Sequence, residues 1–176
     1  HLVKELIKNN FKIIGLNKQD GYDVSDVSTL SKVNQFDTIV HLSDYTFVPD
    51  SFKNPSNFFN NNFLCMLNVL ELARQFSANV IFFSSYLYGP PKYFPINEKH
   101  PIQPHNPYAQ SKLISEKLCE GYYRDFNIPI TVLRPFNIYG PIQKNNFIIP
   151  NIIDQMKSDK IILNDLRPKR DFIYIT

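Results

Sequence analysis

Asn79-Val-Ile-Phe-Phe-Ser-Ser-Tyr-Leu-Tyr-Gly-Pro90 is an unbroken apolar run that passes directly into a serine-rich turn closed by glycine and proline. Apolar character without alternation marks a strand covered on both faces, the usual situation in a parallel sheet. Similar β-branched runs occupy Phe11 to Leu16, Asp37 to Leu42 and Pro129 to Leu133. Between them the spacing predicts helices over 27–36, 56–76 and 107–126. Strands alternating with helices of this length describe βαβ units. Right-handed crossovers then give an α/β fold with a doubly wound parallel sheet. Ligands of such sheets lie at the carboxyl ends of strands, so Ser84 and its turn become the first place to look for chemistry.

Composition narrows the partners. The chain has 176 residues, 43% of them hydrophobic, enough for one good core and the start of a second. A net charge of +3 without a Lys/Arg cluster argues against nucleic acid or an anionic membrane. No apolar run approaches a membrane span, and no signal peptide opens the chain. Cys65 and Cys119 lie in apolar helical segments without metal-ligand spacing. They suit small core positions in a reducing cytoplasm better than a disulfide or a metal site. His1-Leu-Val-Lys-Glu-Leu-Ile-Lys-Asn-Asn10 reads as a helix already under way, with Leu2, Leu6 and Ile7 on one face and no N-cap. Asp171-Phe-Ile-Tyr-Ile-Thr176 ends inside a strand-like run. The chain is therefore expected to be a piece of a longer protein. Residues 1–144 form part of a first domain. Residues 145–176 begin a smaller one with a helix, a short strand at Ile161 to Asn164, and a final strand.

Tyr108-Ala-Gln-Ser-Lys112 carries the sharpest chemical signal. Asn106 is a good N-cap and Pro107 suits the first helical position, so Tyr108 falls in the first turn with Lys112 on the same face. A positive helix end and an ammonium group both favour a phenolate. They would draw a group of ordinary pKa about 10 toward use as a base. The spacing alone also fits an exposed helix face. With Ser84 at a strand end one proline-rich loop earlier, Ser, Tyr and Lys make a proton-transfer set: a positioning hydroxyl, a base and a tuning cation.

With these residues in place, the chain resembles the extended short-chain dehydrogenase/reductase family, which includes UDP-glucose 4-epimerase and the nucleotide-sugar 4,6-dehydratases. The motifs follow the family's order: Asp23-Val24, Asp37-Thr-Ile-Val-His-Leu-Ser43, Asn61-Asn62, Ser84 to Gly89, Tyr108 to Lys112, Leu133-Arg-Pro-Phe-Asn-Ile-Tyr-Gly-Pro141 and Arg170-Asp-Phe. The resemblance implies a Rossmann-like fold and NAD as cofactor, with NADP possible. It places Asp23 and Val24 at the adenine, Leu42 and Ser43 along the cofactor, and Asn61 near it. Lys112 would hold the nicotinamide ribose beside Tyr108, and Pro135 and Phe136 would flank the nicotinamide. Ser84 would meet the substrate, while Asn137 and Arg170 would face the diphosphate of a nucleotide sugar. An Arg fork suits that diphosphate, although Arg170 also fits a surface ion pair with Asp171. The family commonly forms homodimers through the two helices expected at 56–76 and 107–126. Leu64, Leu67, Leu118 and Tyr122 are candidates for that contact, or for packing on the sheet.

Departures from the family pattern bear on the chemistry. The glycine-rich turn that receives the pyrophosphate is not in this sequence; His1-Leu-Val-Lys matches what usually follows it. Ser43-Asp44 stands where a small Ala/Gly pair is common, and Cys65 where glycine is frequent. Asn17-Lys18 replaces the acid that would hold a ribose 2′-hydroxyl, which leaves NAD and NADP both open. The favoured reading is an NAD(P)-dependent nucleotide-sugar epimerase; a 4-reductase using the same Ser/Tyr/Lys set comes second. A 4,6-dehydratase needs Asp-Glu directly after the Ser/Thr, and Ser85-Tyr86 stand there. A non-catalytic nucleotide-binding protein could dispense with Tyr108 or Lys112, and this chain has both.

These 176 residues alone are expected to bind dinucleotide poorly and to lack turnover. Two hydrogen bonds to a charged pyrophosphate contribute about 3–6 kcal/mol together, on the order of a hundredfold to ten-thousandfold in affinity. Calorimetric titration with NAD and NADP checks this, and low-micromolar affinity for either would overturn it.

Overall fold

Backbone pairing in parallel strands requires a long crossover between neighbours, and the chain supplies two. In the computed structural model, which describes residues 1–33, 36–163 and 165–175, strand β1 (Thr38–His41) leads through helices α2 (Val48–Lys53) and α3 (Pro55–Phe76) to β2 (Asn79–Phe83). Helix α4 (Pro107–Phe126) then leads to β3 (Ile130–Leu133). The three strands pair in parallel in the order β1-β2-β3. Ile39 lies opposite Val80, and Ile81 opposite Thr131. This is an α/β, Rossmann-like arrangement.

The helix ends follow local chemistry. Pro55 and Pro107 open α3 and α4, where a missing N–H costs nothing. The Asn106 side chain accepts from the Ala109 N–H at 2.8 Å, the N-cap expected from sequence. Ser77 and Asn127 end the two helices in the left-handed region, and their N–H groups return to Ala73 and Tyr123 carbonyls.

Burial concentrates between α3, α4 and β2. Met66, Val69, Leu70 and Ala73 of α3, Cys119 of α4, Val80 and Phe82 of β2, and Ile128 make one cluster. Burial pushes both cysteine thiols up to about 12, so they behave as small apolar side chains.

Two compact units result: Ile14–Pro135, which holds the three-stranded sheet, and His1–Ile13 with Phe136 onward. In the second unit, helix α1 (Leu2–Lys8) matches the helix read at the start of the chain. Strand β4 (Asn137–Tyr139) pairs in parallel with β5 (Phe172–Tyr174), and helix α5 spans Ile148–Gln155. Among the described residues no helix is long and apolar enough to cross a membrane.

Several sequence expectations need correction. Phe11 to Leu16 is irregular rather than a strand. Phe11 and Ile14 are exposed, and a lone extended segment without a ladder partner leaves its backbone to water. Of the helix expected over 27–36, only a 3-10 turn at Val27–Leu30 forms; Asn34 and Gln35 lie outside the described residues. Side chains there capture the backbone locally. Asp26 accepts from the Ser28 N–H, and Thr29 Oγ1 donates to the Asp23 carbonyl at 2.8 Å, which competes with a longer helix. Ile161 to Leu163 form no strand, and Asn164 lies outside the described residues. The Ile162 N–H is taken instead by Gln155 Oε1 at 2.7 Å. Helix α2 and strand β4 were not anticipated, being only six and three residues long.

Leu70 is fully buried in the α3–α4–β2 core. Leu70→Ala is therefore expected to lower unfolding free energy by about 2–5 kcal/mol, the range for removing a buried leucine side chain, as read by urea denaturation.

Candidate active site

Three segments at the carboxyl ends of β1 and β2 and the amino end of α4 carry the candidate groups. β2 ends at Phe83, and Ser84 follows with its N–H donating to the Leu133 carbonyl at 2.8 Å. Its hydroxyl is buried and, among the described residues, has no hydrogen-bond partner. The side chain of the next residue, Ser85, faces Tyr108 and opposes the rise in its phenol's pKa. Beyond it, Tyr86 donates its hydroxyl to the Gly89 carbonyl. Gly89 has φ +65°, and a Cβ there would collide with the Gln103 carbonyl, so the turn demands glycine at this point. The Gln103 N–H returns to Leu87 at 2.8 Å and ties down the proline-rich loop that leads to α4.

Tyr108 lies in the first turn of α4, and Lys112 is buried one turn on. Lys112 Nζ meets Asp44 Oδ2 at 2.5 Å, with both side chains only 3% exposed. The other Asp44 oxygen meets His41 Nε2 at 3.0 Å. The Lys112 ammonium also sits 4.4 Å from the centre of the Phe82 ring, where the ring face attracts a cation. Ser43 Oγ lies 3.3 Å from His41 Nδ1. The result is a chain of groups that runs from the exposed Ser43 through buried His41 to the buried side chains of Asp44 and Lys112.

This arrangement alters the electrostatics expected for Tyr108. Burial pushes its phenol above the ordinary range; the Ser85 hydrogen bond opposes that, and the Asp44 charge adds to it. The sequence predicts that helix end and lysine pull the phenol down; the opposite direction is found because the phenol is buried, with the Asp44 charge adding to the rise. Burial likewise pushes Lys112 down, with Asp44 opposing. Burial alone would raise the Asp44 carboxyl, but His41 and Lys112 together hold it below its usual range.

Around this centre, polar contacts set the geometry. Asn62, fully buried in α3, accepts from the Tyr45 N–H at 2.9 Å and donates to Ser111 Oγ at 2.9 Å. It links the loop after β1 to both long helices. Arg134 grips Glu116 with Nε–Oε1 and Nη2–Oε2 distances of 2.9 and 2.6 Å, fastening the end of β3 to α4.

The other residues anticipated at the cofactor and substrate lie as follows. Asp23 pairs with Lys18 at 2.8 Å and accepts from Ser25. The Lys18 and Ser25 hydrogen bonds hold its carboxyl low. The Val24 carbonyl accepts from Asn68 Nδ2 at 2.9 Å. Leu42 is exposed, and Asn61 is buried with its amide donating to Asn62 Oδ1 at 3.2 Å. Pro135 follows Arg134 and is half-buried. In the second unit Phe136 is half-buried, Asn137 donates to the Asp171 carbonyl at 2.9 Å, and Arg170 is exposed. Ser84, Tyr108, Lys112, Leu42, Ser43 and Asn61 all belong to the first unit. Asp44, His41 and Asn62 were not assigned roles from sequence. The one available signal was Asp44 itself, a charged residue directly after an apolar strand.

Comparison with known proteins agrees with the fold. A profile of the NAD dependent epimerase/dehydratase family matches residues 1–176. A UDP-glucose 4-epimerase of Lacticaseibacillus casei is 39% identical over 67% of this chain and 37% of its own. A GDP-6-deoxy-D-mannose reductase of Pseudomonas aeruginosa is 34% identical over 78% of this chain and 49% of its own. The solved structure of UDP-glucose 4-epimerase with UDP-glucose from Thermotoga maritima superposes with a TM-score of 0.92 at 24% identity. That superposition covers 99% of this chain and 65% of that one, and it shows the shared fold. The chain thus spans less than two thirds of each of these proteins.

The Asp44 pair makes stability pH-dependent. Its folded-state pKa is lowered, so its contribution is complete above the unfolded value of about 3.9 and is lost as pH falls through the lower folded value. Urea unfolding at a series of acid pH values is expected to show a shallower loss of stability for Asp44→Asn than for the wild type. An equal slope would remove Asp44 from the acid response.

Proposed function

The chain belongs to the NAD dependent epimerase/dehydratase family, and from that premise we propose that its parent protein is an NAD(P)-dependent nucleotide-sugar epimerase. The observation that carries the reading is the buried Ser84 hydroxyl, without a partner among the described residues, at the carboxyl end of β2 and one residue before the serine that faces Tyr108. A buried hydroxyl left unpaired costs about 1–3 kcal/mol, and a substrate oxygen would satisfy it.

In this reading Tyr108 takes the proton of a sugar hydroxyl and later returns one to the sugar oxygen. Ser84 holds that oxygen in line, and Lys112 lies at the nicotinamide ribose. Asp23 and Val24 serve the adenine, while Leu42, Ser43 and Asn61 line the cofactor. Pro135 and Phe136 flank the nicotinamide, and Asn137 and Arg170 meet the diphosphate. When bound, the dinucleotide supplies the hydride chemistry, and the protein supplies orientation and proton transfer. Residues 145–176 open the substrate domain of the parent. Reduction of a 4-keto sugar nucleotide with the same Ser84, Tyr108 and Lys112 is the second reading, favoured by the 34% identity to a GDP-6-deoxy-D-mannose reductase. Water elimination is disfavoured, because Ser85 and Tyr86 stand where a dehydratase places two carboxylic acids.

The parent is further proposed to be a homodimer through α3 and α4. Leu64 is 40% exposed on α3, whereas Leu118 and Tyr122 also pack on the intramolecular core. The Tyr122 hydroxyl donates to Glu71 at 2.6 Å, and Leu67 is half-buried. Sedimentation of the full-length protein as a monomer at micromolar concentration would rule the dimer out.

In the full-length parent, Tyr108→Phe is expected to reduce turnover by about 10²–10⁴-fold while dinucleotide affinity stays close to wild type. Retention of more than about a tenth of the activity would remove Tyr108 from the role of base. Mass analysis of the product is expected to show a sugar nucleotide without loss of water; a dehydrated product restores the dehydratase reading.

A further inference from the structure

Asp44 is a charged group of the candidate site that the proposed chemistry does not use. Its side chain is as buried as that of Lys112, and it is held from both sides: Lys112 Nζ at 2.5 Å on one oxygen, His41 Nε2 at 3.0 Å on the other. His41 is itself fixed, with Ser43 Oγ at Nδ1 and its ring stacked on Phe82 at 5.6 Å between centroids. A carboxylate held this way cannot swing aside without stranding a charge in a dry site, an arrangement that costs several kcal/mol to disrupt.

We infer that Asp44 is a positioning residue that pairs with Lys112 and so withholds the ammonium charge from Tyr108, setting how alkaline the medium must be before Tyr108 serves as a base. The inference rests on the reading of Tyr108 as the base. Other charged or titratable groups packed around the pair do not replace it. Glu116 and Cys119 face Lys112 from its own helix, but Glu116 is already gripped by Arg134 and Cys119 stays a neutral thiol. Phe82 offers Lys112 a ring face from β2. Tyr108 itself faces Ser85 from the β2 turn and the Asp44 charge from the loop after β1. Asp44 is thus the strong counter-charge on Lys112, and its removal frees a cation one helical turn from the phenol.

The test titrates Tyr108 directly and needs neither cofactor nor turnover. The chain has ten tyrosines, so the phenolate absorbance of each variant is read as the difference from the same variant carrying Tyr108→Phe. Asp44→Asn is expected to move the Tyr108 midpoint down by about half a pH unit or more. The double variant Asp44→Asn/Lys112→Met is expected to bring it back close to the wild-type midpoint, because the freed cation is then gone. A midpoint that is unchanged or raised in Asp44→Asn overturns the inference. So does a double variant that keeps the full drop, since the carboxylate would then act without Lys112. Circular dichroism establishes that each variant folds, and Asp44→Ser replaces the asparagine variant if that one does not. In the full-length parent the same drop is expected as an acid limb of kcat/KM moved to lower pH. A moved titration with an unmoved limb supports the ion pair and counts instead against Tyr108 as the base.

Discussion

Strand β2 is hydrogen-bonded along both edges, to β1 on one side and β3 on the other, and the rest of the first unit follows from the need to cover it. A strand paired on both edges turns its side chains to both faces of the sheet, so both require apolar cover. Val80 and Phe82 go into the cluster built by α3 and α4, whose lengths of 22 and 20 residues suit the crossovers that parallel pairing requires. The same strand leads into the candidate site. Phe82 lies beneath both His41 and Lys112, and the chain emerges from β2 at Ser84. Packing and site therefore share one element, and a change that loosened Phe82 would disturb the Asp44–Lys112 pair along with the core.

That pair is an expensive way to hold a site together. Desolvating a carboxylate and an ammonium can cost as much as their attraction returns, and apolar replacements of similar volume are often no less stable. Its presence therefore says little about stability and more about what must be held in place. The same holds for Asn62, which bonds Tyr45 and Ser111 from the middle of α3 where a leucine would bury more apolar area. Polar groups of this kind fix one arrangement among many of similar packing energy, because every alternative leaves a donor or acceptor stranded. Here they hold three segments in register: the loop after β1, the middle of α3 and the first turns of α4.

Legibility in the sequence tracked the length and burial of each element. The three strands of the sheet and the helices at 55–76 and 107–126 are long, strongly patterned and closed by clear caps, and their bounds were read to within a residue or so. Phe11 to Leu16 has the same β-branched composition as the true strands, but composition cannot supply a ladder partner. The described part of the segment from Val27 forms only a 3-10 turn, because Ser28, Thr29 and Ser31 spend their hydroxyls on nearby backbone and carboxylate groups. At the candidate site, the placement of Ser84 at a strand end and of Tyr108 and Lys112 at a helix start was legible from their spacing, while their roles belong to the proposed function. Asp44 was visible only as an odd residue after an apolar run. Its meaning depends on Lys112 lying 68 positions away in sequence, and no local pattern encodes a contact of that range.

Two serine hydroxyls in the first unit are used in opposite ways. Ser111 Oγ is buried and fully used, donating to the Tyr108 carbonyl at 2.8 Å and accepting from Asn62 at 2.9 Å. Ser84 Oγ is equally inaccessible and, among the described residues, has no partner. If both served packing alone, alanine at position 84 would relieve an unsatisfied oxygen at almost no cost in volume. The chain keeps the hydroxyl directly beside the serine that faces Tyr108. On the proposed reading it leaves a hydroxyl unpaired close to the proposed base Tyr108, whereas a turn along α4 the Ser111 hydroxyl is fully paired. That contrast depends on neither the identity of the sugar nor the choice of dinucleotide. It separates Ser111, whose hydroxyl is bonded within the fold, from Ser84, whose hydroxyl has no partner among the described residues.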